Sequence, residues 1–245
     1  MTRNVVVVFF GLSLLGTTLP LFGEEGIKQP ARATSTEKVI FAPGGTIRLI
    51  DSFGYLTVEG WDRPEVEITA TKSIETYYEP AERERAAQRL EGIHIAAERR
   101  SGNELAVSTT LPSRSRLLPP PWRRNTKGGV TVEYQIHVPR DSRLVIHHRG
   151  GYVLVSNVTG DVEATSGSGD IVLMLPDPGK YSIDAKTKLG KVMSDFGSST
   201  RRRFKVGEKL ASTSSPPSRR VYARMGRGSI TIKEAPRETS APAGL

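Results

Sequence analysis

Asp161 and Asp170 are the residues whose type and spacing come nearest to chemistry. Each follows a glycine and opens a short apolar alternation, Gly160-Asp161-Val162 and Gly169-Asp170-Ile171. If the two copies stack, their carboxylates meet at one end of a sheet. Paired carboxylates can run glycoside hydrolysis or hold calcium. An aspartate after glycine is also ordinary turn chemistry, because its side chain can bond nearby backbone. The same slot holds Tyr152, Lys191 and Ser229 in other copies, which favours turn work.

Other reactive types are scarce. The 245 residues include no cysteine, so neither a thiol nucleophile nor a disulfide is available. His94, His137, His147 and His148 are the only histidines, and none stands at metal-ligand spacing from another. His147 and His148 are adjacent in an expected strand and should point to opposite faces. Ser166, Ser168, Ser198 and Ser199 lie in glycine-rich turns without a Gly-x-Ser-x-Gly elbow. Gly167-Ser168-Gly169 lacks both the lysine and the following helix of a phosphate loop. No enzyme chemistry and no cofactor are expected.

Charge is the stronger signal. Lys and Arg number 35 against 26 Asp and Glu, a net charge of +9. The excess is clustered at Arg114–Lys127, at Arg201, Arg202, Arg203 and Lys205, and at Arg219, Arg220, Arg224 and Arg227. Such clusters attract polyanions or an anionic membrane surface. No aromatic residues interleave the arginines as base-stacking platforms would, so nucleic acid is not an expected partner. Arg201, Arg202, Arg203, Arg219 and Arg220 are the candidate patch for an anionic partner.

The elements that must position these residues are mostly strands. Residues 1–23 carry a basic start and an apolar run, Val5 to Leu15, and read as a signal peptide. The alternative is an uncleaved anchor, although the run is shorter than the roughly 20 residues that span a bilayer. An exported protein of the cell envelope, periplasmic or at the surface, is the expectation. Residues 24–37 are polar and read as a flexible linker. A β-repeat domain is expected over 38–235, interrupted by a basic, proline-rich loop at 112–129. A disordered tail is expected over 236–245.

Within the domain, Ile47, Leu49, Leu56 and Val58 alternate on either side of a turn expected at Asp51–Gly54. Val66, Ile68 and Ala70 continue the period of two, and Trp61 between them is expected to be packed. Pro80 to Leu90 is charged with a thin apolar stripe of Ala81, Ala86, Ala87 and Leu90, predicting one short inserted helix near 80–91. Ile93 to Thr109 reads as a hairpin, and Val130 to Val138 is the most regular strand.

The second half repeats itself. Gly151–Val155, Gly160–Ala164 and Gly169–Leu173 are copies of one glycine-initiated unit, with looser copies at Gly54–Val58, Gly190–Ser194 and Gly228–Ile232. Nine residues per unit is too few for a strand and a helix. The expected fold is therefore all-β, a solenoid-like, parallel β-helix-like stack of short strands. Val153, Val155, Val162, Ile171, Leu173, Ile230 and Ile232 are its expected core. Residues of opposite parity, among them Glu163, Asp184, Lys186 and Arg224, form a wet face.

These phrases resemble a bacterial adhesin-type family of exported or membrane-anchored β-strand-repeat domains of unknown function. The matching segments are Gly60-Trp61-Asp62, Val66-Glu67-Ile68, Tyr134–Pro139, Val158–Val162, Ser166–Ile171, Ala185–Val192, Ser194-Asp195-Phe196 and Gly226–Ile232. They cover most of Lys38 to Lys233. The resemblance implies a parallel coil of strands and no known catalytic residue. The chain departs from it at 187–192, which lacks the usual acidic turn, and in the basic excursion at 112–127. The combined expectation is a non-enzymatic envelope or surface module that meets an envelope protein or glycan. One alternative is a carbohydrate-active β-helix enzyme using Asp161 and Asp170. The other is a basic scaffold for anionic lipid or cell-wall glycan.

Overall fold

The structure, a computed structural model, describes residues 29–78, 80–111, 130–176, 181–196, 200–203, 207–212 and 219–236. The expected leader, the 112–129 loop, Lys205, Ser198 and Ser199, and the tail beyond residue 236 lie outside the described residues.

Four long strands make the frame: β2 (Thr46–Trp61), β7 (Arg143–Ser156), β8 (Val162–Leu175) and β13 (Arg219–Glu234). They run parallel in the order β2-β7-β8-β13. Each bends at a glycine, and these glycines form a column in register: Gly54 beside Gly151, Gly151 beside Gly169, Gly169 beside Gly228. Burial parity switches across the bend. In β8 the inward residues are Val162, Ala164 and Ser166 before it and Ile171, Leu173 and Leu175 after it. An extra residue in a ladder produces such a switch, as a glycine bulge does. β7, β8 and β13 switch at the same level, so their register holds on both sides, whereas β2 switches earlier, at Asp51, and its register with β7 shifts between Ile50 and Gly54.

A parallel pair needs a crossover between the end of one strand and the start of the next. Between β7 and β8, which are consecutive in the chain, the second half of β7 supplies it. β7 bends into the second layer, turns a corner at 157–161 and re-enters the first layer as β8. Asn157 takes a φ of 56° to start that corner. Leu144 N–H donates to the carbonyl of Asp161 at 2.8 Å, locking the corner to the previous coil.

Hairpins and short strands complete both layers. The first layer gains the antiparallel pair β4 (His94–Ser101) and β5 (Glu104–Thr110) beside β2. On its other side stand β9 (Tyr181–Leu189), β12 (Gly207–Ser212) and β11 (Thr200–Arg203). The second layer gains β6 (Val130–Pro139), β3 (Glu65–Tyr78) and β1 (Gln29–Ile40) on one side and β10 (Val192–Ser194) on the other. Buried side chains of both layers make one core, including Ile47, Leu56, Tyr134, Ile146, Val153, Ile171 and Ile232.

Among the described residues the fold is all-β with one short helix, and every residue named as expected core is buried. Its connectivity corrects the clean parallel solenoid. The β1-β3-β6, β4-β5 and β9-β12-β11 pairings are antiparallel. A short coil leaves open strand edges at both ends, and hairpins cover them. The expected short strands are also corrected. Val162–Ala164 and Ile171–Leu173 are two halves of β8, so the nine-residue period is half a coil. Asp51–Gly54 is no turn between strands but an irregular stretch inside β2, with Asp51 at a φ of 60°.

The linker expected at 24–37 is strand from Gln29 onward. Its low hydrophobicity suits an edge strand that uses few inward side chains. Ala33 and Val39 face in, while Thr34 and Thr36 exchange hydroxyl bonds with Thr71 and Thr69 at 3.0 and 3.1 Å. The helix α1 (Pro80–Glu91) lies where expected and buries Ala86 and Leu90 against Ile74 and Ile93. Ala87, expected in its apolar stripe, is exposed.

His147 and His148 do part to opposite faces, the first exposed and the second buried. His148 Nδ1 meets Ser52 Oγ at 2.9 Å, and its Nε2 is buried without a partner among the described residues. Desolvation holds its pKa below the ordinary 6.5, with the backbone of Gly54 and Gly150 offsetting part of the effect. A depressed pKa in the folded state means the unfolded chain binds the proton more readily. This contribution to stability is complete above 6.5 and is lost as pH falls through the lowered value. Urea unfolding between about pH 8 and about pH 5 should therefore show a steeper loss in the wild type than in His148→Gln. Equal slopes would show that His148 does not titrate with folding.

Candidate functional site

The outer side of the first layer is a grid of side chains. Strand register sets its rows, and period-two alternation sets which residues point outward. One row runs Arg143, Asp161, Arg220 and Ser182. The next runs Val145, Glu163, Tyr222 and Asp184. A third runs His147, Thr165, Arg224, Lys186 and Lys209, and β11 places Arg201 at the following register position. The last runs Arg149, Gly167, Gly226 and Lys188, next to the bend.

The sequence-named residues fall on this frame as follows. Arg219 and Arg220 open β13 and border a cleft of about 680 Å³, shared with Arg143, Asp161, Glu163 and Tyr222. Arg201, Arg202 and Arg203 form β11 at the layer's far edge, separated from β13 by β12 and β9. The two groups therefore share one layer without adjoining.

Asp161 and Asp170 are not a pair. Asp161 precedes the first half of β8 and Asp170 follows the bend, with on the order of 25 Å of extended strand between Asp161 and Gly169. Each carboxylate instead bridges to β13. Asp161 Oδ1 accepts from Arg220 N–H at 2.8 Å, and Asp170 Oδ1 accepts from Ser229 N–H at 3.1 Å and from the Ser229 hydroxyl. The acidic slot thus ties successive coils together, as turn chemistry would have it. Among the described residues no group of three or more His, Cys, Asp or Glu is arranged to hold a metal ion.

A second cleft, of about 420 Å³, lies on the last two rows beside the bend. Gly167 and Gly226 leave its floor bare; a Cβ on Gly226 would stand 2.3 Å from the carbonyl oxygen of Gly167. Arg149 stands at one end and Lys188 at the other, with Arg224 and Lys186 along the side. The fold fixes some of these cations. Arg224 Nη2 contacts Asp184 Oδ2 at 2.6 Å, its guanidinium lies 3.9 Å from the centre of the Tyr222 ring, and its Nη1 reaches the carbonyl of Asp184. Arg149 pairs with Asp51 at 3.1 Å, which lowers the Asp51 pKa. Lys186 and Lys188 are exposed and have no carboxylate partner among the described residues.

Contiguous runs in the sequence point to Arg201–Arg203. The residues gathered by the fold are instead Arg149, Lys186, Lys188 and Arg224, from three different strands. Alternation already sets Lys186 and Arg224 on the wet face, and carried two positions past Lys186 it is the signal that could have found Lys188.

Trp61 is packed, as expected. Its ring stacks on His137 at 4.9 Å with 18° between planes, Arg63 stands 4.9 Å from the ring centre, and its indole N–H donates to the Glu65 carbonyl at 2.8 Å. That leaves it unsuited to stack on a ligand. No helix among the described residues is long and apolar enough to cross a membrane.

No family model and no curated protein matches the chain. Among solved structures it is similar to a protein from Clostridium sporogenes provisionally named for cell adhesion, at 13% identity over 82% of this chain and 100% of that one, with a TM-score of 0.46. It is also similar to a provisionally named adhesin from Parabacteroides distasonis, at 10% identity over 82% of this chain and 65% of that one, with a TM-score of 0.25. A third, a provisionally named lipid-binding protein from the same organism, has 9% identity over 66% of this chain and 70% of that one, with a TM-score of 0.24.

Proposed function

We propose that the protein is a non-enzymatic interaction module of a bacterial cell envelope, which offers the outer side of its first layer to a partner. The observation that carries this reading is the use to which the carboxylates are put. Asp161 and Asp170, the best candidates for glycoside hydrolysis, each hold a β13 amide and stand too far apart to act on one bond. The same layer meanwhile presents rows of cations on rigid strands, which is what a binding face requires. The apolar run at the N-terminus supports export, and its cleavage after Gly23 is part of the proposal.

Incubation of the purified protein with envelope polysaccharides, followed by a reducing-end assay, tests the non-enzymatic part. The expected result is no new reducing ends above a boiled control, in the wild type as in Asp161→Asn and Asp170→Asn. Release of sugar ends by the wild type that either substitution abolishes would establish the carbohydrate-active reading instead.

A further inference from the structure

The cleft beside the bend has the layout of a track rather than a pocket. Lys209, Lys186, Arg224 and His147 succeed one another across adjacent strands in one row, with Thr165 between the last two. Adjacent strands are about 4.8 Å apart, close to the length of one sugar unit in an extended chain. In the neighbouring row the two glycines lower the floor between Lys188 and Arg149, which are three strand spacings apart, or roughly 14 Å. Five cations, Arg149, Lys186, Lys188, Lys209 and Arg224, face two carboxylates, Asp51 and Asp184. Both carboxylates are already engaged by arginine, so the two lysines of β9 carry charge that nothing described offsets.

We infer that this row and its glycine-floored cleft bind a single extended polyanionic glycan, a sugar chain with an acidic group on successive units, lying across the strands. The inference rests on the interaction-module reading and names its partner class. Three features select that occupant. The cations repeat along a line, which matches a chain with regularly spaced charge. The floor is recessed below the flanking side chains, so one chain can enter where a flat bilayer surface would rest on the rims. Among the described residues no free aromatic ring lines the track for a nucleobase to stack on, since Arg224 already covers Tyr222. Lys186 and Lys188 bear most of the recognition, because their ammonium groups have no internal partner to give up. Arg224 and Arg149 act from fixed positions, held by Asp184 and Asp51.

The test uses the full chain and fluorescently labelled oligogalacturonate as the probe, read by anisotropy at low and high salt. Neutral dextran and anionic phosphatidylglycerol vesicles are run beside it. Three proteins are compared: the wild type, the double variant Lys186→Gln/Lys188→Gln, and Lys233→Gln, whose lysine is exposed on the second layer. Equal melting temperatures establish that all three fold. The expected result is wild-type binding that weakens steeply with salt and falls about tenfold or more in the double variant, with a shallower salt dependence. Lys233→Gln should bind as the wild type does, and dextran should not bind. The inference is overturned if the wild type ignores oligogalacturonate, if the double variant binds unchanged, or if both variants lose affinity equally. Binding to vesicles but not to the oligosaccharide also overturns it, in favour of a lipid surface. Envelope components captured by a wild type that ignores the oligosaccharide would leave the module reading standing and remove only the track.

Discussion

Gly169→Ala should destabilise the domain by about 4 kcal/mol or more, a large effect for a single methyl group. Gly169 sits in the middle of the glycine column with a φ of 105°, a region that L side chains rarely adopt. A Cβ there would lie 1.8 Å from the carbonyl oxygen of Gly151 on the neighbouring coil. Backbone strain and a clash with main chain therefore act together, and neither can relax without parting β7 from β8. Two other glycines separate these contributions. Gly44 has a φ of 77° but only the side chain of Asp141 nearby, at 3.8 Å, so Gly44→Ala should show strain alone, roughly 1–2 kcal/mol. At Gly102 a methyl group would meet no heavy atom within 4 Å, and the backbone there has no positive φ, so Gly102→Ala should fall within about 0.5 kcal/mol of the wild type. Chemical denaturation of the three variants provides the measurement. A Gly169→Ala protein as stable as Gly102→Ala would mean that the strands do not bend together at this column.

Ile171→Ala should cost about 2–5 kcal/mol, because Ile171 is fully buried and its removal leaves a cavity as well as losing transfer energy. Leu154→Ala is the matched comparison. Leu154 lies on β7 in the second layer, one position along from the buried Val153, and points outward by alternation. It should cost less than about 1 kcal/mol. Reversal of that order in equilibrium unfolding would show that the parity switch at the bend has been assigned to the wrong residues.

These two predictions mark what the sequence makes legible and where it stops. Alternation identifies which residues face in, because a half-buried strand must bury every second side chain, and Val153, Val155, Ile171, Leu173, Ile230 and Ile232 follow it. It also hands His147 to solvent and His148 to the core. It does not tell which strand lies beside which. β8 and β13 are neighbours although 59 positions separate paired residues such as Gly169 and Gly228, and no local pattern encodes that distance. The bend hides for a related reason. A glycine that opens a new strand and a glycine that bends a continuous one are followed by the same apolar alternation, so Gly160 at a corner and Gly169 at a bend look alike. The edge strand β1 escapes because its outward neighbours are threonines and charges, which read as linker composition when no partner strand is in view.

The candidate site divides in the same way. Clusters contiguous in sequence, Arg201–Arg203 and Arg219–Arg220, stand out on inspection, yet alternate residues of a run within a strand point to opposite faces. The track arises from single cations on separate strands brought level by register: Lys186 from β9, Arg224 from β13 and Arg149 from β7. Asp161 and Asp170 show the converse. Their equivalence in the repeat is real, and it is expressed as the same bond made twice to β13, at Arg220 and at Ser229.

Capture from an envelope extract tests the interaction-module account most directly. The immobilised full chain is exposed to extract at low salt, washed, and eluted at high salt, and the eluate is analysed for glycan and protein. The account predicts saturable retention of an envelope component that is recovered chemically intact, with an acidic glycan leaving the column as salt screens the basic face. Retention of nothing beyond what an unrelated protein of similar charge retains would contradict it, as would recovery of a polysaccharide cut into shorter pieces.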